Sequence, residues 1–178
     1  MLIALTGTPG VGKSTVAEIL KRRGYNVFSA NELAEKFKCM IGEEEGSKVI
    51  DTEKLAKEIR SLKGLIIIEG HLSHLLNPDL VIVLRCNPIE LKKRLEKKGW
   101  NTEKILENVE AEIVDVILIE ALDNAKEVYE IDATNLSPKE VADAIEEILK
   151  GHGEKFRPGK VDWISEVGDF FDDLIRKS

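Results

Sequence analysis

The chain has 178 residues, 43% of them hydrophobic and 33% charged, which suits one globular domain. No apolar run approaches the roughly 18–20 residues of a membrane span. The net charge is -7, from 26 basic and 33 acidic residues; this argues against a broad basic face for nucleic acid. It leaves room for a local phosphate pocket and for a basic protein partner. The two cysteines, Cys39 and Cys86, lie far apart and show no metal spacing, so free thiols are expected. The N-terminal apolar stretch runs straight into glycines and Lys13 without the shape of a signal peptide. A cytoplasmic protein is the expectation.

Five short apolar runs read as strands, at 2–6, 25–28, 65–69, 80–84 and 127–131. Ile66-Ile67-Ile68 and Val81-Ile82-Val83-Leu84 are unbroken, as in parallel strands covered on both faces. Helical patterns lie between them. One follows Lys13, with Val16, Ile19 and Leu20 on one stripe, and another follows Asp51, a candidate cap. Asn87-Pro88-Ile89-Glu90 and Ser137-Pro138-Lys139-Glu140 each offer a cap, proline at the first helical position and an acid at the third. A long helical stretch spans 101–123. The order predicts a three-layer α/β unit with a parallel sheet. In the span 29–50, Glu43-Glu44-Glu45-Gly46 suggests a mobile turn.

The first strand ends in Gly7-Thr8-Pro9-Gly10-Val11-Gly12-Lys13-Ser14, a complete G-x-x-x-x-G-K-[ST] between strand and helix. Glycines allow successive backbone N–H groups to face one concavity, and the helix start adds free N–H groups and its positive end. Lys13 supplies a charged donor for the transferring phosphate, and Ser14 a hydroxyl for Mg²⁺. This pattern implies triphosphate binding and leaves the acceptor open: water, a nucleotide or a protein.

The third strand ends in Glu69, beside which stand Gly70 and His71. Glu69 is a candidate Walker B acid, reaching the metal through water. His71 could donate to a phosphate or position an acceptor, and it could equally cap the turn. A metal pair of His71 with His74 lacks a third ligand nearby. Arg85, at the end of the fourth strand, stands at the carboxyl edge where parallel sheets bind ligands. The basic segment Lys92-Lys93-Arg94-Leu95-Glu96-Lys97-Lys98-Gly99-Trp100-Asn101 makes a candidate phosphate-closing lid, with Arg94 and Lys98 among its charges, or else a solvated basic helix end favoured by the dipole. A small phosphotransferase or an ATPase fits these residues.

The P-loop, Glu69-Gly70-His71, Val83-Leu84-Arg85, Arg94-Leu95, Gly99-Trp100-Asn101, Lys104-Ile105, Asn108-Val109 and Glu112-Ile113 together resemble one family. It is the divergent adenylate kinase and ATPase family involved in small-ribosomal-subunit maturation, in its archaeal form. The resemblance covers about residues 1–150. It implies a P-loop nucleoside monophosphate kinase fold with a five-stranded parallel sheet, a monophosphate-binding segment at 29–50 and a short lid at 97–107. Gly10, Gly12, Lys13, Ser14 and Thr15 would hold ATP, with Ser14 and Glu69 on Mg²⁺. Glu69 and His71 would stand for the family's Asp-aromatic-His signature. The implied activity is transfer of phosphate from ATP to AMP, with ATP hydrolysis beside it. The implied partner is a basic platform protein of the small ribosomal subunit (the S11 family). Any association with small-subunit ribosomal RNA would be indirect, because no RNA-cleaving domain is present. Three departures stand out: Glu69 where aspartate is usual, Gly70 in place of an aromatic residue, and Lys98 in place of a lid arginine, which loses a two-pronged phosphate contact. Other acceptors, such as a cytidine nucleotide or a coenzyme A precursor, and an ATP-driven assembly switch remain alternatives.

The tail 151–178 falls outside that pattern. Trp163, Val167, Phe170, Phe171 and Leu174 share a helical stripe, with Ile164 and Ile175 at its edge; Asp162, Glu166, Asp169, Asp172 and Asp173 take the other side. An amphipathic acidic helix docked on the kinase body is expected, its acidic face offered to a basic partner.

Overall fold

A computed structural model describes residues 1–44 and 47–175. Five parallel strands form the central sheet: β1 (Leu2–Thr6), β2 (Asn26–Ser29), β5 (Ile66–Glu69), β6 (Leu80–Arg85) and β7 (Val128–Asp132). Their spatial order is β2-β5-β1-β6-β7, so β1 lies at the centre. All five pair in parallel, with Leu5 opposite Glu69 and Thr6 opposite Val83. The register brings the end of β1, where the P-loop begins, level with Glu69.

Side chains alternate across the sheet with period two. Ile3, Leu5, Ile67, Ile82 and Leu84 face one core, covered by α1 (Lys13–Arg22), α4 (Pro88–Lys97), α5 (Thr102–Ile113) and α7 (Pro138–Leu149). On the opposite face, Ile66 and Ile68 meet α2 (Ala30–Lys36) and α3 (Thr52–Glu58). Ala4, Val81 and Val83 meet α6 (Val116–Asn124) on that same face. Every residue of β6 is buried, which is why its sequence is an unbroken apolar run up to Arg85. The chain thus has the three-layer P-loop kinase fold.

Local chemistry sets the helix starts. Ser137 and Glu140 form a reciprocal capping box at α7, and Asn87 caps α4 ahead of Pro88. The expected helix over 101–123 is two helices. The break is Asp115, which adopts a left-handed conformation at φ 59° and turns its carboxylate toward Arg85. Within 29–50 the structure adds α2 and an antiparallel hairpin of β3 (Met40–Glu44) and β4 (Ser47–Ile50). Glu45 and Gly46, the centre of the expected mobile turn, lie outside the described residues.

The tail is not one continuous helix. It divides into α8 (Trp163–Val167), a 3-10 turn (Gly168–Phe170) and α9 (Phe171–Ile175). Gly168, at φ 45°, changes the chain direction and disrupts the single stripe. Trp163, Val167 and Leu174 are buried, whereas Phe170 and Ile164 are 65% and 58% exposed. Truncating a buried tryptophan to alanine typically costs about 3–5 kcal/mol, so this docking contributes to the fold.

Candidate active site

The P-loop occupies the bend from β1 to α1. Gly10 has φ 96°, and a β-carbon there would come within 2.8 Å of Leu95 Cδ2. Gly12 has φ 104° and faces open space, the cradle itself. Lys13 is buried, and its Nζ donates to the carbonyls of Gly7 at 2.6 Å and Thr8 at 3.1 Å. Burial lowers its pKa to about 8, with Lys98 adding to the effect and Glu69 and Glu112 opposing it. Among the described residues no carboxylate stands at ion-pair distance from Lys13. Ser14 and Thr15 open onto the same cleft.

Glu69 reaches the cleft from the end of β5. Burial pushes its carboxyl above the usual carboxylate range, against the pull of Lys13. His71 lines the cleft while remaining exposed to it. The cleft walls partly desolvate the ring, and Lys13, His74 and Lys104 add positive charge, so its pKa falls below the ordinary histidine range. A neutral imidazole follows at pH 7. The turn that carries both residues is held from beneath. Thr6 Oγ1 donates to the His71 carbonyl at 3.3 Å, and Ser73 Oγ donates to the Gly70 carbonyl at 2.8 Å. His74 is fully buried, with Nδ1 3.0 Å from Thr6 Oγ1 and Nε2 2.8 Å from Glu120 Oε2. It props the turn and does not pair with His71 in a metal site. Gly70 has a packing reason: a β-carbon there would come 3.0 Å from Ala30 Cβ, leaving little space for an aromatic ring.

The cleft has a volume of about 610 Å³ at the carboxyl end of the sheet. Ser29, Ala30, Asn31, Lys48 and Ile50 line one wall, from the segment expected to take the acceptor. Lys98, Trp100, Lys104 and Asn108 line another, from the turn joining α4 to α5 and the first turns of α5. Lys104 Nζ lies 4.3 Å from the centre of the Trp100 ring. Lys13, Lys48, Lys98 and Lys104 line the space, Lys48 with its ammonium paired to Glu35, and Glu69 is the one lining carboxylate among the described residues. An acidic protein thus carries a locally positive cleft. Lys48 and Asn31 were absent from the sequence-based candidates. Their signal was only position, within a span already expected to bind a monophosphate.

Two candidates lie elsewhere. Arg85 is 1% exposed and donates to Glu112 Oε1 at 2.9 Å and Glu130 Oε2 at 2.8 Å, with Asp115 as a third carboxylate partner. Its expected role as a cleft charge is corrected: the guanidinium is consumed by acids beneath the P-loop. Arg94 also misses the cleft. Its Nε donates to Glu90 Oε1 at 3.1 Å and its side chain reaches the Thr134 carbonyl at 3.5 Å. The lid charge therefore rests on Lys98 and Lys104.

Residues 3–115 match a family model described as an AAA domain. A protein of Archaeoglobus fulgidus named "Putative adenylate kinase" is 56% identical over 99% of both chains. One of Methanocaldococcus jannaschii with the same name is 47% identical over 96% of this chain and 97% of its own. This chain belongs to that archaeal adenylate kinase family. Among solved structures, shikimate kinase from Acinetobacter baumannii in complex with shikimate aligns with a TM-score of 0.59 at 20% identity, over 86% of this chain and 94% of the other. Shikimate kinase from Bacteroides thetaiotaomicron gives 0.55 at 15%, over 84% and 98%. Those two likenesses establish the fold alone.

The cleft of this family member fits a magnesium triphosphate. The glycine cradle and the start of α1 present N–H groups to an anion, and Lys13 adds charge. Ser14 and Glu69 offer hard oxygen ligands. The described residues contain no group of three or more histidine, cysteine or acidic side chains placed for a metal. Mg²⁺ held here would take much of its coordination from substrate phosphates and water.

Proposed function

We propose that the chain transfers a phosphoryl group from ATP to AMP, and hydrolyses ATP more slowly when no acceptor is present. The observation that carries this reading is Lys13: a buried cation held only by two backbone carbonyls, in a glycine cradle that opens on a second, lysine-bearing wall. ATP phosphates would lie on the Gly10–Thr15 amides, and Ser14 and Glu69 would hold Mg²⁺, whose chemistry is to neutralise charge on the phosphates. Asn31 and Lys48 would face the acceptor. Lys98 and Lys104 would close over the transferring group and exclude water. His71, neutral at pH 7, would position the acceptor or a water by hydrogen bonding. AMP attacks directly, so no covalent enzyme intermediate is needed.

The test offers ATP with AMP, CMP, shikimate or no acceptor, and separates ADP from free phosphate. ADP without free phosphate, formed with AMP, supports the kinase. Free phosphate at the same rate with every acceptor overturns it.

A second reading is an ATP-driven switch in small-subunit maturation, on a basic platform protein of the S11 family. The exposed acidic residues Asp162, Glu166 and Asp169 on the docked tail support it. Release of phosphate that rises when such a protein is added, with or without AMP, would favour this reading; an unchanged rate would remove it.

A further inference from the structure

We propose that Glu112 is a positioning residue that couples the C-terminal tail to the P-loop, so that Trp163 sets the affinity for ATP from outside the cleft. The proposal rests on the P-loop reading above. Glu112 is 3% exposed, and its carboxylate is the meeting point of three segments distant in sequence. Thr8 Oγ1 donates to Oε2 at 2.6 Å. Trp163 Nε1 donates to Oε1 at 3.0 Å, together with Arg85 Nε at 2.9 Å and the Cys86 amide at 3.2 Å. The carbonyl of the same Thr8 accepts from Lys13 Nζ and from the Val11 amide. One threonine thus links the tail-bound carboxylate to the phosphate-binding lysine.

The neighbouring acid repeats the pattern. Glu130 Oε2 accepts from Arg85, while Oε1 accepts from the Gly159 amide at 3.1 Å and the Val161 amide at 3.4 Å. Three carboxylates surround one guanidinium, so the cluster carries surplus negative charge. Tail donors answer part of it: two backbone amides and one indole. Among the described residues no buried side-chain polar atom is left without a partner. The tail therefore completes the support beneath the P-loop. Coupling of this kind is reciprocal: whatever orders Thr8 for ATP must also favour the docked tail.

The test compares wild-type protein with Thr8→Val and Trp163→Phe, which remove the donors and keep most of the bulk. Dissociation constants for magnesium with a non-hydrolysable ATP analogue are measured by calorimetry, alongside melting temperatures and the KM of each substrate. Each variant is expected to weaken analogue binding about fivefold with the acceptor KM unchanged. The double variant should be no weaker than the weaker single one, because both break one path. Lower melting temperatures with unchanged analogue affinity would overturn the proposal. Hydrogen exchange on the wild-type protein needs no variant to fold. The Gly159 and Val161 amides should exchange about fivefold more slowly with analogue bound. Unchanged exchange at saturation overturns the coupling, whereas absence of analogue binding overturns the P-loop reading beneath it.

Discussion

Lys13 and Arg85 are both buried cations near the carboxyl ends of adjacent strands, yet they have opposite surroundings. Lys13 meets two carbonyls and no carboxylate at ion-pair distance among the described residues, and its pKa drops to about 8. Arg85 meets Glu112, Asp115 and Glu130. Burial works against its charge, but Glu112 and Asp115 more than compensate and hold it protonated. A desolvated cation without a counter-charge is a site awaiting an anion. A cation whose three nitrogens each meet an acceptor, as in Arg85, is a structural member. The residue type at a strand end does not distinguish the two; the partners do.

The sharpest way to break this contrast is Arg85→Ala. It leaves Glu112 and Glu130 buried without their cation and should cost about 3–5 kcal/mol of folding stability in urea denaturation. A loss under 1 kcal/mol would mean that Arg85 is not the structural member described. Lys13→Met should act in the other direction. Turnover should fall about 10²–10³-fold, the scale of losing one preorganised transition-state donor. The ligand-free fold should become more stable at neutral pH. The sign follows from linkage. As pH falls from 10.5 towards 8, the unfolded chain takes up a proton at this lysine that the folded chain resists. The penalty is full below about pH 8, and methionine removes it. A lowered melting temperature for Lys13→Met at pH 7 would contradict the contrast. Lys98→Ala should show the smallest effect, about a tenfold loss of turnover with an unchanged melting temperature, because its side chain faces an open cleft.

Much of this was legible in the chain itself. Unbroken β-branched runs marked the buried parallel strands, and strand boundaries fell within one residue of those observed. The P-loop was legible because its spacing is local: cradle, lysine and hydroxyl lie within eight consecutive residues. Arg85 was misread because its partners come from positions 112, 115 and 130, which only the packing of α5 and β7 brings together. The β3–β4 hairpin was hidden because its strands are short and β3 carries Gly42, Glu43 and Glu44 on an exposed stretch. The break between α5 and α6 needed a left-handed Asp115, which apolar periodicity does not register. In the tail, one glycine at 168 carried more weight than the apolar stripe around it.

The most direct measurement is calorimetric titration of magnesium-ATP into the wild-type protein between pH 7 and 9.5, in buffers of different ionisation enthalpy. A lysine of pKa about 8 that must be charged to hold phosphate should take up a proton on binding. Uptake should be small at pH 7, rise towards one proton per site at pH 9, and be absent from any residual binding by Lys13→Met. Tight wild-type binding with no proton uptake at any pH, or uptake that survives in Lys13→Met, would contradict the assignment of Lys13 as the uncompensated cation of a phosphate site.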